Sequence, residues 1–148
     1  MAILDDLNSA LKEAMKSRDE VRVSAIRMMK ASLKNKEIEK MGNLSDEDVL
    51  QVLSTLAKQR RESIEQFSGA GRMELAEKES RELEIITAYL PKQLSPEELD
   101  DVIRSAISES GAKSAGDMGK LMKVLMPKVK GAADGKIVNQ RVRELLGS

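Results

Sequence analysis

Lys120, Lys123, Lys128, Lys130 and Lys136 crowd around the small residues Gly131, Ala132 and Ala133. Lysine ammoniums hold phosphate oxygens as point charges, and small residues let a nucleic-acid backbone come close. This cluster is therefore the first candidate for chemistry. From Gly111 onward the chain carries eight bases, with Lys113, Arg141 and Arg143 completing the set, against three acids, Asp117, Asp134 and Glu144. The whole chain balances 25 bases with 25 acids, so this end is +5 and the remainder −5. Arg27, Lys30 and Lys34 form a secondary basic face at i, i+3, i+7, and Lys58, Arg60 and Arg61 lie close together further on.

Other chemistry finds little footing. Without His or Cys, the usual general base, the thiolate nucleophile and the usual zinc ligands are missing. Catalytic residues are not expected, nor a metal or a cofactor. The run GAADGK (Gly131–Lys136) has one residue too few between its glycines for a phosphate loop, and no hydroxyl follows its lysine. Asp46, Glu47 and Asp48 are consecutive, so on a helix they point apart; they read as helix-start acids. Met118, Met122 and Met126 repeat at i, i+4 and read as core, with docking of a partner helix as the alternative. Tyr89 and Phe67 are the only aromatics. Single-strand binders need stacking platforms, so any nucleic-acid target should be a duplex or structured RNA read through its backbone. Overall neutrality argues against non-specific binding.

The elements that position these residues read as helices throughout. Ala, Leu, Lys, Glu, Arg and Met dominate, all good helix formers. Leu4, Leu7, Leu11 and Ala14 mark a helix over 2–17. Asp19 caps the next, with Ala25, Ile26, Met29 and Leu33 on its apolar face and an end near Met41–Asn43. Ser45 starts a third, whose face runs Val49, Leu53, Leu56, Arg60, Ile64 and Phe67 until Gly69 and Gly71 interrupt it. Ala76, Leu83, Ile86 and Leu90 carry a fourth. Pro91 and Pro96 then bracket a boundary. Ser95 and Pro96 start a helix of Leu99, Val102, Ile103, Ala106 and Ile107 that stops at Gly111. A loop spans 112–116. Met118, Leu121, Met122 and Leu125 make a short helix ending around Pro127–Gly131, and Ile137, Val138, Val142 and Leu145 make the last. The expectation is an all-α protein: a four-helix N-terminal unit with long helices over 1–91, then a compact three-helix domain over 92–148. The N-terminus carries early acids and lacks an apolar core of signal-peptide length, and no run is long enough to span a membrane. The expected location is the cytoplasm, with no membrane partner.

Three stretches carry a family resemblance: RVSAIRMMKASLKNKEIE (Arg22–Glu39), KQRRESIEQFSGAGRMELAEKESRELEIITAYLPKQLSPEEL (Lys58–Leu99) and DMGKLMKVLMPKVKGAADGKIVNQRV (Asp117–Val142). In this order they resemble GatB/YqeY-type proteins, most of all the free-standing YqeY-like members. The third stretch is similar to the tail domain of the tRNA-dependent amidotransferase B subunit, which contacts the body of the tRNA while amide transfer happens elsewhere. Gly119, Lys128, Lys130, Gly131, Lys136 and Asn139 match that motif. The resemblance implies a tRNA-contacting domain, and the catalytic domain of the full subunit has no counterpart here. The expected function is thus a non-catalytic tRNA-binding or amidotransferase-related accessory module, with Lys120, Lys123, Lys128, Lys130, Gly131, Lys136 and Asn139 against phosphates. The alternatives are an adapter docking an amidotransferase or aminoacyl-tRNA synthetase through helical faces, and a carbon–nitrogen ligase component (glutamine as amido-N-donor) active only in a larger assembly.

Overall fold

A computed structural model describes residues 2–147. Seven α-helices and one short 3-10 turn account for its regular structure, and no strand occurs among the described residues. The chain divides into two units between Leu90 and Pro91.

The first unit holds α1 (Ala2–Lys16), α2 (Glu20–Lys40), α3 (Asp46–Gly69) and α4 (Met73–Thr87). The starts of α2 and α3 have local causes. Asp19 accepts a hydrogen bond from the Arg22 amide, satisfying one of the free donors at the head of α2. Ser45 and Asp48 form a reciprocal capping box at the head of α3. α3 packs most extensively on α4, and α2 touches α1, α3 and α4. Leu7, Ile26, Met29, Leu33, Leu53 and Ile86 are fully buried at the centre. Burying one such side chain is worth about 1.5–3 kcal/mol.

α3 also buries a charge. Arg60 Nε stands 2.9 Å from Glu82 Oε2 and 3.3 Å from Glu79 Oε2, both on α4. The arginine also meets the Met28 sulfur of α2. Arg60 and Glu82 are both buried. Lys58, Arg60 and Arg61 therefore form no common basic patch: Lys58 is exposed while Arg60 turns inward. α2 ends with Met41 in the left-handed region, φ +60°, its side chain in solvent.

The second unit holds α5 (Pro96–Ser110), a 3-10 turn (Ala115–Asp117), α6 (Met118–Val129) and α7 (Gly135–Leu146). Ser95 and Glu98 form a second capping box, with Pro96 opening the helix, where its missing N–H costs nothing. α5 packs on α6 and α7. Leu99, Ile103, Ala106, Leu121, Leu125, Val129, Val138 and Val142 fill this core.

Three expectations need correction here. Residues 112–116 are not wholly loop: Ala112 is buried and the 3-10 turn begins at Ala115. Pro127 lies inside its helix: α6 runs to Val129, within the end expected around 127–131, and the Lys130 amide still reaches the Met126 carbonyl at 3.0 Å. The proline deprives only the Lys123 carbonyl of its donor, and Lys123 lies on the solvent side where water can substitute. Met126 is 38% exposed, although Met118 and Met122 pack against the core. An i, i+4 step turns 400°, so each methionine drifts about 40° further from the core line. Ile137 is 47% exposed, because the buried line of α7 is Val138 and Val142, one residue round the helix.

Candidate functional site

The basic residues of the second unit are positioned by what α6 and α7 bury. Leu121, Leu125 and Val129, at i, i+4, i+8, are buried completely or nearly so. That anchors one face of α6 and turns Lys120 and Lys123, one turn apart, to solvent. α6 contains three lysines and no acid. In α7, Val138 and Val142 face the core, so Lys136, Asn139 and Arg143, at i, i+3, i+7, share the outward face and are exposed. The single acid of α7, Glu144, is taken up by Arg141.

The lysines are not equivalent. Lys128 leans to the flank of α6 nearer α5, where its Nζ pairs with Glu109 Oε2 at 2.5 Å. The Lys120 ammonium lies 3.8 Å from the point where a Cβ on Gly111 would sit. Gly111 caps the C-terminus of α5, so Lys120 meets the negative end of that helix. Lys123 and Lys136 are exposed on α6 and α7, and Lys130 is exposed at the turn between them.

That turn is built differently from the expectation. Gly131 adopts φ +77°, a conformation any side chain would strain. Its carbonyl accepts a hydrogen bond from Gln93 Nε2 at 2.7 Å, and the Ala132 carbonyl accepts one from the Leu94 amide at 2.8 Å. Ala132 is buried and Ala133 packs against the core. The two alanines are therefore small enough to fit against the core and the segment before α5. Asp134 caps α7 by accepting from the Lys136 amide at 3.0 Å. Gly119 is exposed with open space beside its Cα, so packing does not demand glycine there.

The two arginines of α7 differ in role. Arg141 is structural: it holds Asp100 of α5 and Glu144. The hydrogen bond to Asp100 foremost raises the Arg141 pKa, and the same bond is the main cause that lowers the pKa of Asp100. Arg143 belongs with the exposed set, and its spacing from Lys136 is the signal that could have found it.

The secondary basic face lies in the first unit, where Arg27 and Lys34 are exposed and Lys30 is half-buried. No group of three or more acids that could hold a metal occurs among the described residues. No described helix is long and apolar enough to cross a membrane.

Comparison with known proteins gives a consistent match. A family model described as Yqey-like protein covers residues 4–146. Among curated proteins, the chain is similar to "Altered inheritance of mitochondria protein 41, mitochondrial" from several organisms. The protein of Pyrenophora tritici-repentis is 29% identical over 151 residues, covering 99% of this chain and 82% of that one. That of Lachancea thermotolerans is 38% identical over 107 residues, 70% of this chain and 57% of that one. That of Saccharomyces cerevisiae is 39% identical over 95 residues, 64% of this chain and 51% of that one. The word mitochondrial in these names describes those proteins.

Proposed function

The chain belongs to the Yqey-like protein family, and we propose that its second unit is a non-catalytic module that holds the phosphate backbone of a folded RNA, tRNA in the first instance. The observation that carries this reading is the distribution of charge on α6 and α7. Lys120, Lys123, Lys130, Lys136 and Arg143 are exposed, and the two helices hold one acid between them, already paired. Fixed cations on rigid helices suit a fixed array of phosphates. The choice of tRNA rests on the resemblance of Asp117–Val142 to the amidotransferase tail domain. With no His or Cys in the sequence, the module is read as binding, and the ligase reading gains no support from its residues.

A salt series tests this. Phosphate contacts release counterions, so tRNA affinity should fall steeply and linearly with log salt. Reversing Lys123, Lys136 and Arg143 to Glu should weaken tRNA binding by about tenfold or more at moderate salt. The melting temperature should stay put, since all three are exposed. A triple variant that melts normally and binds as the parent does would sink the proposal.

The adapter reading has its own supporting observation: Met126 and Ile137 are exposed on the same two helices. An apolar contact to an enzyme would weaken little with salt, and loss of a captured amidotransferase or synthetase on changing Met126 and Ile137 to Ser would favour it.

A further inference from the structure

An open cleft of about 580 Å³ lies between the end of α1 and the start of α2, lined by Met15, Arg18, Glu20, Val23, Ser24 and Arg27. That volume lies within the range of small-molecule sites. Its chemistry is mixed in an informative way. Val23 is half-buried and Met15 half-exposed, giving an apolar wall. Arg18 sits in the turn with φ +58°, and its amide bonds the Met15 carbonyl at 3.3 Å. Neither Arg18, Glu20 nor Arg27 makes an ion pair among the described residues, whereas Arg22, one residue from Val23, pairs with Glu13 at 3.7 Å.

Glu20 and Arg27 lie on one face of α2, seven residues apart, so about 10 Å separates them along the axis. They are too far apart for an i, i+4 pair, yet their side chains can close on something between them. Two hydrogen bonds of about 3 Å leave a few ångströms between the cationic and anionic ends of such a ligand. That is the span from ammonium to carboxylate in an α-amino acid. A simple anion would suit the arginines but be repelled by Glu20. A simple cation would meet two unpaired guanidiniums.

We propose that this cleft binds a free α-amino acid with an apolar side chain. The carboxylate meets Arg27 and Arg18, the ammonium meets Glu20, and the side chain lies on Met15 and Val23. The proposal is independent of RNA binding, which concerns the other unit.

Amide shifts of the isotope-labelled full chain, titrated with leucine, N-acetyl-leucine, leucinamide and glycine, test it. Leucine should shift residues 15–27 saturably. N-acetyl-leucine and leucinamide should each bind at least about tenfold more weakly, since each loses one charge-assisted contact. Glycine, lacking the apolar body, should also bind more weakly. Glu20→Gln and Arg27→Gln should each weaken leucine by a similar factor and leave the rest of the spectrum unchanged, both side chains being exposed. The proposal is overturned by the absence of saturable shifts up to the solubility of leucine. It is equally overturned if N-acetyl-leucine binds as well as leucine, which would make the cleft a surface for anions, or if Glu20→Gln binds leucine unchanged.

Discussion

Arg141 of α7 grips Asp100 of α5 at two points, Nε to Oδ1 and Nη2 to Oδ2, each 2.8 Å. A forked guanidinium matches a carboxylate in this geometry, and lysine could not reproduce it. The pair ties the first helix of the second unit to its last, across the buried line of Ile103, Val138 and Val142. One arginine among the eight bases at this end of the chain is thereby spent on the fold.

Arg141→Gln should therefore lower the melting temperature of the protein, while Arg143→Gln should leave it unchanged. The arginine holds the Asp100 carboxyl below the usual carboxylate range. A depressed folded-state pKa adds stability above the unfolded value and loses it as pH falls. The difference in melting temperature between Arg141→Gln and parent should accordingly shrink in acid. Equal melting of the two arginine variants at neutral pH would show that the fork contributes nothing measurable.

Asp48, in the capping box of α3, gives a second acid response. The Lys40 ammonium foremost, and then the Ser45 amide, draw its pKa from 3.8 to about 2. The stabilisation is present above the unfolded value near 4 and disappears as pH drops through about 2. Lys40→Ala should move the Asp48 carboxyl titration upward, toward the ordinary value. Carbon-detected NMR of the Asp48 carboxyl checks this directly; an unmoved titration would assign the shift to the cap alone.

Arg60 and Glu82 make the sharpest stability test. Truncating one member of a buried pair strands the other without a counter-charge and costs about 3–5 kcal/mol. Arg60→Ala should fall in that range by urea denaturation. The triple change Arg60→Met, Glu79→Gln and Glu82→Leu should recover most of the loss, because it leaves no carboxylate without its counter-charge. If the triple variant is no more stable than Arg60→Ala, packing and not charge explains the position.

How far the chain discloses itself depends on the range of the cause. The caps at Asp19, Ser45 and Ser95 and the stop at Gly111 are local, three or four residues long, and legible in the sequence. The all-helical class follows from the same signals. Arg60 was legible as a member of a mostly apolar face, but its partners Glu79 and Glu82 lie on another helix, and no local pattern names them. The turn after α6 misled for a similar reason. Gly131, Ala132 and Ala133 look open when only neighbours in sequence are considered. Gln93 and Leu94, some forty residues earlier, occupy the space beside them. Lys128 and Lys123 are equivalent in local sequence, and only Glu109, nineteen residues before Lys128, distinguishes them.

That last contact separates binding residues from merely basic ones, and it carries the final prediction. Lys128 and Glu109 are both partly exposed, their side chains at 38% and 59%, so the pair is screened by water and adds little stability. Its effect on a polyanion is larger, because a phosphate approaching Lys128 also approaches the carboxylate. Lys128→Gln should hence weaken tRNA binding less than Lys123→Gln, although both remove one positive charge. Glu109→Gln should strengthen binding by releasing Lys128, and should steepen the dependence of affinity on log salt by up to about one unit, the increment of one added phosphate contact. Glu109→Lys would add a second charge and confuse the comparison, so the neutral replacement is the one to make. Affinities at four or five salt concentrations for the parent and the three Gln variants decide the matter. If Glu109→Gln leaves both affinity and slope unchanged while Lys123→Gln reduces them, Lys128 lies outside the RNA contact. If none of the three moves either quantity, α6 does not face RNA at all.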